Sequence, residues 1–327
     1  MGLAAIIPLG AGSDRWRLGA TSGSTALLAG ITYPIFAHWT WGGGWLAALG
    51  GTYGLGHGFL DVGGAGTIQC VGGLTALSIA WILGPRHGKY SRDGMPTAIP
   101  GHHAIYILFG ALFALMGWIG LNSVGAILFA AGDMAIVPRI AINTLLAAAG
   151  AGAAATITTG TRFGKPDASL AANGWIGGLV AVSAGCAFIV PVEALVIGVI
   201  AGVLVPLSVE WIELRLKVDD PSGSIASHAV GGVWGLLAAG IFARFPADFP
   251  IAAASTSGSG QFIAQLVGIA TLLGFVLPLT YGVNKLLDRV YPYRVPPDGE
   301  RQGMDLHELG AGAYPEFVTH SEEFMPH

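Results

Sequence analysis

Three features of the sequence predict an all-α, polytopic transmembrane helix bundle. Hydrophobic residues make up 53% of the chain and charged residues 10%, whereas a soluble domain carries about 25% charged residues. The chain therefore lacks the charge needed to cover a water-facing surface. It also divides into long apolar segments, and its lysines and arginines fall in alternate connections between them. A spanning helix needs about 20 mostly apolar residues. Such segments lie near 20–41, 61–84, 100–124, 132–160, 166–187, 190–213, 225–243 and 259–288, and residues 1–12 read as the tail of one more. Hydrocarbon offers no partner for backbone polar groups, so these segments must be helical; the two-residue alternation of a membrane barrel is absent.

Glycine supports the same reading. The chain has 52 glycines in 327 residues, most of them inside Ala/Leu/Ile/Val runs. Small residues let membrane helices approach closely, where packing drives association. The net charge of −4 argues against a nucleic-acid partner. Cys70 and Cys186 are too few, and too deep in apolar stretches, for a disulfide framework.

Orientation follows from the basic residues. Thirteen of the fifteen fall in every second connection: Arg15 and Arg17, then Arg86, Lys89 and Arg92, then Arg162 and Lys165, then Arg215 and Lys217, then Lys285, Arg289, Arg294 and Arg301. Only Arg139 and Arg244 fall on the other side. Cytoplasmic loops concentrate Lys and Arg, so the C-terminus is expected in the cytoplasm and the loop from Trp41 to Leu60 outside. Residues 1–290 are read as the membrane domain and 291–327 as a cytoplasmic tail.

Charged and ionisable groups inside a membrane mark a pathway or a fixed structural pair. Asp61 opens a helix, where a carboxylate caps free N–H groups at the positive dipole end; Glu193, after Pro191, is placed to do the same. His228 sits a few residues into a span, in Ser224-Ile-Ala-Ser-His-Ala-Val-Gly-Gly, among small residues that leave room beside the ring. Taken alone, it reads either as a satisfied core histidine or as a pore residue. His38 lies at the outer end of a span, His57, His87, His102 and His103 in or near loops, and His307, His320 and His327 in the tail. No histidine pair has metal-ligand spacing on one span, and no Walker motif, nucleophile elbow or spaced cysteine set appears. Neither a metal, a cofactor nor an enzymatic function is implied.

The order of segments resembles the ammonium transporter, methylamine permease and Rhesus family. The resemblance runs from Ser13 to Tyr314. It is carried by His38-Trp-Thr-Trp-Gly-Gly-Gly, Asp61-Val-Gly-Gly-Ala-Gly-Thr, Gly117-Trp-Ile-Gly-Leu-Asn, Asn143-Thr, Gly164-Lys-Pro, Val218-Asp-Asp-Pro with His228 ten residues later, Gly240-Ile-Phe-Ala, and a tail reading Arg294-Val-Pro-Pro, Gly303-Met-Asp and Ala313-Tyr. The resemblance implies a homotrimer of eleven-helix, inverted-repeat subunits in the cell (inner) membrane. Each subunit would have its own hydrophobic pore for ammonium or ammonia, and its tail could meet a PII-type regulator. It matches Trp41 to the recruiting aromatic, Asp61 to the capping aspartate and His228 to the second of two pore histidines, with Asn122 beside Asp61 at the pore mouth.

Four departures from the match bear on mechanism, and a fifth lies in the tail. Gln69 stands where the first pore histidine is expected, and glutamine hydrogen-bonds but does not titrate. Leu121 replaces a gate phenylalanine, and Gly125 replaces an outer-site serine. Met1 falls inside what should be the third helix, so the sequence is expected to lack the first two to three family helices, either because the start is placed too late or because this is a reduced relative. In the tail, Leu309-Gly-Ala stands where the family often has His-Gly-Glu. These departures keep two alternatives open beside ammonium transport: a channel for another small neutral molecule or gas, and an ammonium sensor without transport.

Overall fold

The computed structural model describes residues 1–129, 134–245, 258–312 and 314. Within them the chain is helical and no strand is assigned. Among the described residues, six helices are long and apolar enough to cross a membrane: Ala65–Leu83, Ala104–Leu128, Met134–Phe163, Pro191–Leu216, Ile225–Phe242 and Gly260–Val290. They coincide with six of the eight predicted segments. The other two are also helical but fall short by different measures. Ala168–Ser183 has only 16 residues. The helical run over 18–41 is long enough, but Thr21, Ser22, Ser24, Thr25, His38 and Thr40 make it too polar. A short apolar helix, Gly2–Ala11, lies along the Ala65–Leu83 helix and packs Ile7 and Ala11 into the same cluster as Ala76 and Ala80.

Local chemistry sets the helix ends. Asp167 Oδ1 accepts from Leu170 N at 2.8 Å and starts the Ala168–Ser183 helix. Pro191 opens the next, where Glu193 Oε2 accepts from Val190 N at 3.0 Å. Such caps satisfy N–H groups that have no intrahelical partner. Gly164, at φ 78°, ends the Met134–Phe163 helix in a left-handed turn that residues with a Cβ rarely adopt.

The charges separate to the two ends of the bundle as the loop pattern predicts. At one end Arg15, Arg86 and Asp219 form a buried cluster. Arg86 Nε lies 2.9 Å from Asp219 Oδ2 and its Nη2 3.0 Å from Oδ1. Arg15, fully buried, donates to Gly84 O at 2.7 Å and to Asp219 O at 2.8 Å. Burial alone would raise the Asp219 carboxyl, but its bonds to Arg86 and the charges of Arg86 and Arg15 outweigh this and hold it below the ordinary carboxylate range. At the other end the two exceptional arginines are both engaged. Arg139 donates to Ala187 O at 2.6 Å, and Arg244 pairs with Glu193 Oε1 at 2.6 Å.

After Val290 the chain folds back on the basic end. Arg17 N donates to Tyr293 O at 2.9 Å, and Val295 N to Arg15 O at 3.1 Å. Arg294 reaches Leu83 O at 2.8 Å and Glu300 Oε2 at 2.8 Å. The tail is thereby tied to the end of the Ala65–Leu83 helix. Ala313, His320, His327 and the rest of 315–327 lie outside the described residues.

Candidate functional site: a vestibule above a buried glutamine–histidine pair

Two helices carry the site, and they begin alike. Asp61 lies eight residues before Gln69, and Asp220 lies eight before His228. Asp61 accepts from Gly66 N at 3.1 Å and Thr67 N at 2.6 Å. Asp220 accepts from Ile225 N at 2.7 Å and also holds the Ser222 and Ser224 hydroxyls. Each carboxylate thus caps a wide π-helical turn, Ala65–Cys70 in one case and Ile225–Val230 in the other. Such turns are rare and recur at functional sites. Gln69 is the fifth residue of its turn and His228 the fourth of the other.

Glycines let these two turns meet. A Cβ on Gly73 would lie 2.5 Å from Ala229 N, and one on Gly232 would lie 2.5 Å from Cys70 Sγ and 2.6 Å from Ala65 O. With no side chains between the backbones, Gln69 Oε1 reaches His228 Nδ1 at 2.7 Å. An amide oxygen can only accept, so this bond fixes the Nδ1–H form of the imidazole and leaves Nε2 with a free lone pair. The Trp118 ring stacks near His228, with centroids 6.4 Å apart and planes 24° apart. It is anchored by its Nε1–H to Ser183 Oγ at 2.9 Å. Gln69 is fully buried and its Nε2 has no hydrogen-bond partner.

Above this pair lies a cavity of about 780 Å³. Trp41, Leu121 and Gly125 all line it, so the structure gathers these three sequence-predicted residues at one mouth. Trp41 donates Nε1–H to Asp61 O at 2.8 Å, which ties the aromatic to the loop that caps the Gln69 helix. Asn122 is not part of the lining. It is buried, donates to Thr144 Oγ1 at 3.1 Å and braces the loop from behind. Ile68 and Leu121 lie on the lining, whereas Gln69 and His228 do not. The cavity thus reaches Ile68, the residue before Gln69, but is not lined by the polar pair itself.

Sequence reasoning missed several parts of this mouth. His57, read as a loop residue, lines the cavity and stacks on Phe245 with centroids 3.9 Å apart. The loop that carries it is held by two glutamines more than 200 positions away. Gln261 accepts from His57 N at 3.0 Å and donates to Gly58 O at 2.9 Å; Gln265 accepts from Leu60 N and donates to Leu60 O, both at 2.8 Å. Two polar residues four apart on an otherwise apolar helix were the available signal. Gly125 also gains a structural reason. A Cβ there would stand 2.3 Å from Val62 O, so the helix can lie against the 61–64 loop only because position 125 has no side chain.

The comparisons with known proteins agree with this architecture. Residues 1–314 match the model of the Ammonium Transporter Family. The chain is 38% identical to the ammonium transporter Amt2 of Archaeoglobus fulgidus, over 98% of its own length and 69% of the relative's. It is 34% identical to Amt2 of Haloferax mediterranei, over 96% and 68%. Among solved structures, a sensor Amt protein superposes with a TM-score of 0.85 at 32% identity, covering 94% of this chain and 74% of that one. With these matches over nearly its whole length, the chain is a multi-pass membrane protein that belongs to the ammonium transporter family.

Proposed function

We propose that the chain conducts ammonium nitrogen across the cell (inner) membrane, with its C-terminal tail, 291–327, in the cytoplasm. The observation that supports this reading is that Trp41, Ile68 and Leu121 line one cavity, while Gln69, the residue after Ile68, is bonded to His228. An aromatic face attracts a cation by about 0.5–2 kcal/mol, so the mouth gathers ammonium from outside. The dry floor makes entry of a bare ion expensive, and the buried pair offers hydrogen bonds further in. Gly125 contributes no hydroxyl to the mouth, and Trp41 carries the recruitment.

The subunit is proposed to work as a homotrimer. Only 11% of the apolar window of the Ala104–Leu128 helix is buried within one chain, which leaves it open to lipid or to a neighbouring subunit. The tail is the segment open to a PII-type regulator, and Leu309-Gly310-Ala311 weakens the match to the family's docking sequence there. A sensing role without transport is the second reading, favoured by the likeness to the sensor Amt protein.

Uptake separates these readings. In cells without their own ammonium uptake, the membrane-resident chain should restore growth on limiting ammonium and take up labelled methylammonium above the empty control. Background uptake from protein demonstrably in the membrane would favour the sensor.

A further inference from the structure

We infer that His57 is a charge gate on the vestibule: with its ring neutral the mouth collects a small alkylammonium or ammonium cation, and with its ring protonated the mouth holds that cation more weakly. The inference rests on the reading above that the vestibule recruits a cation. Among the described residues that line the cavity, His57 alone carries a titratable side chain. The loop is built to hold that ring at the mouth. Gly56 and Gly58 flank it in left-handed backbone, at φ 56° and 83°. Gln261 Oε1 accepts from His57 N at 3.0 Å, and Gln261 Nε2 donates to Gly58 O at 2.9 Å. The ring itself lies on Phe245, with centroids 3.9 Å apart and planes 32° apart.

Histidine is the side chain whose charge ordinarily changes between pH 5 and 8. A cavity of about 780 Å³ is small enough that a cation within it stays near one screening length, roughly 8–10 Å at physiological salt, of a residue on its wall. The two positive charges therefore repel. The elements packed around His57 do not cancel this among the described residues. The 258–271 helix presents the uncharged Gln261 and Gln265, and Phe188 and Phe245 are neutral rings. Arg244 and Glu193 are paired with each other, and Arg139 is engaged by Ala187 O. The Asp61 carboxylate is taken up by Gly66 N and Thr67 N. His38, on the Trp41 helix, does not line the cavity. Each of these groups is the same whether His57 is charged or not, so the difference between the two states is the charge on this one ring.

The full chain in proteoliposomes, with equal pH on both sides, tests this through the KM for labelled methylammonium at about pH 7.5 and about pH 5.5, on either side of ordinary imidazole titration. Methylammonium itself stays charged at both. The wild-type KM should rise about 3- to 10-fold at the lower pH, as expected for two charges in one partly screened cavity. His57→Phe, which keeps a ring for Phe245, and His57→Gln should each show the same KM at both. His57→Arg, with a permanent charge, should have a raised KM at both. A wild-type KM that does not change with pH would overturn the inference without any variant, and so would an equal rise in His57→Phe and His57→Gln, which would place the titrating group elsewhere. Wild-type uptake at the empty-liposome level at both pH values would instead refute conduction, and the inference with it. Should one variant fail to fold, the other two carry the comparison.

Discussion

Gln69 Oε1 lies 2.7 Å from His228 Nδ1, which joins two helices whose starts are 160 positions apart. Each partner is presented by the same device, an aspartate eight residues upstream that caps a π-helical turn. The arrangement makes His228 a donor toward Gln69. The chemistry proposed for the conduit rests on that bond, and the stability of the site on the two caps.

The caps are the first point at which this can be checked. Replacing Asp61 by Ala removes the acceptor of Gly66 N and Thr67 N and leaves both donors buried. Loss of a cap costs about 1–2 kcal/mol, and the buried donors add to it. Thermal unfolding in detergent should show a clear fall in midpoint, and uptake per membrane-resident molecule should fall as well. Asp220→Ala should behave alike at the other helix.

Trp41 tests recruitment at the mouth. Trp41→Leu keeps an apolar side chain but loses the aromatic face and the bond to Asp61 O. A cation–π contribution of about 0.5–2 kcal/mol corresponds to a rise of roughly 2- to 30-fold in the KM for methylammonium, at 1.4 kcal/mol per tenfold. The maximal rate should change far less. A variant that loses rate at unchanged KM would place recruitment elsewhere.

Gly125 separates a lost binding group from a packing requirement. If its only role were the absence of a hydroxyl, Gly125→Ser would lower KM. The Cβ of that serine would stand 2.3 Å from Val62 O, so the 61–64 loop must shift. The expected outcome is a stability loss of about 1–3 kcal/mol, as for overpacked cores, with no gain in affinity; thermal unfolding and uptake kinetics measure both.

The buried ion cluster at the basic end of the bundle predicts a pH window. Asp219 titrates below the ordinary carboxylate range when folded, so it stabilises the fold above its unfolded pKa and loses that contribution as pH falls through the folded value. Detergent-solubilised protein should therefore keep the Asp219 contribution at pH 7 and at pH 5, and lose it only below about pH 4, near the unfolded value. Asp219→Asn leaves Arg15 and Arg86 buried without their counter-charge. Removing one partner of a buried pair costs about 3–5 kcal/mol. The variant should unfold at a markedly lower temperature at pH 7, with the gap to wild type narrowing in acid.

How far the sequence alone reached depends on the range of the interaction. Apolar length and alternating Lys/Arg loops are local signals, and they located the helices and separated the two ends. Asp61 was legible as a cap because a cap acts within a few residues of its own helix. His228 was visible as an ionisable group in an apolar span, but taken alone it read first as a core histidine; its contact with Gln69, 159 positions away, decides its partner. The glutamines that hold His57 and Leu60, and the Arg15–Asp219 contact, join positions about 200 apart. No local period encodes such pairings. Gly125 looked like a lost hydroxyl because the carbonyl it lies against belongs to another segment.

The most direct test of the central claim is labelled methylammonium uptake by wild type and His228→Leu, each normalised to the protein in the membrane. Leucine keeps the bulk but removes the imidazole that bonds Gln69. Wild type should exceed the empty control, and the variant should fall at least tenfold at an unchanged level of folded protein. Equal uptake by the two would contradict the placement of His228 on the conduit.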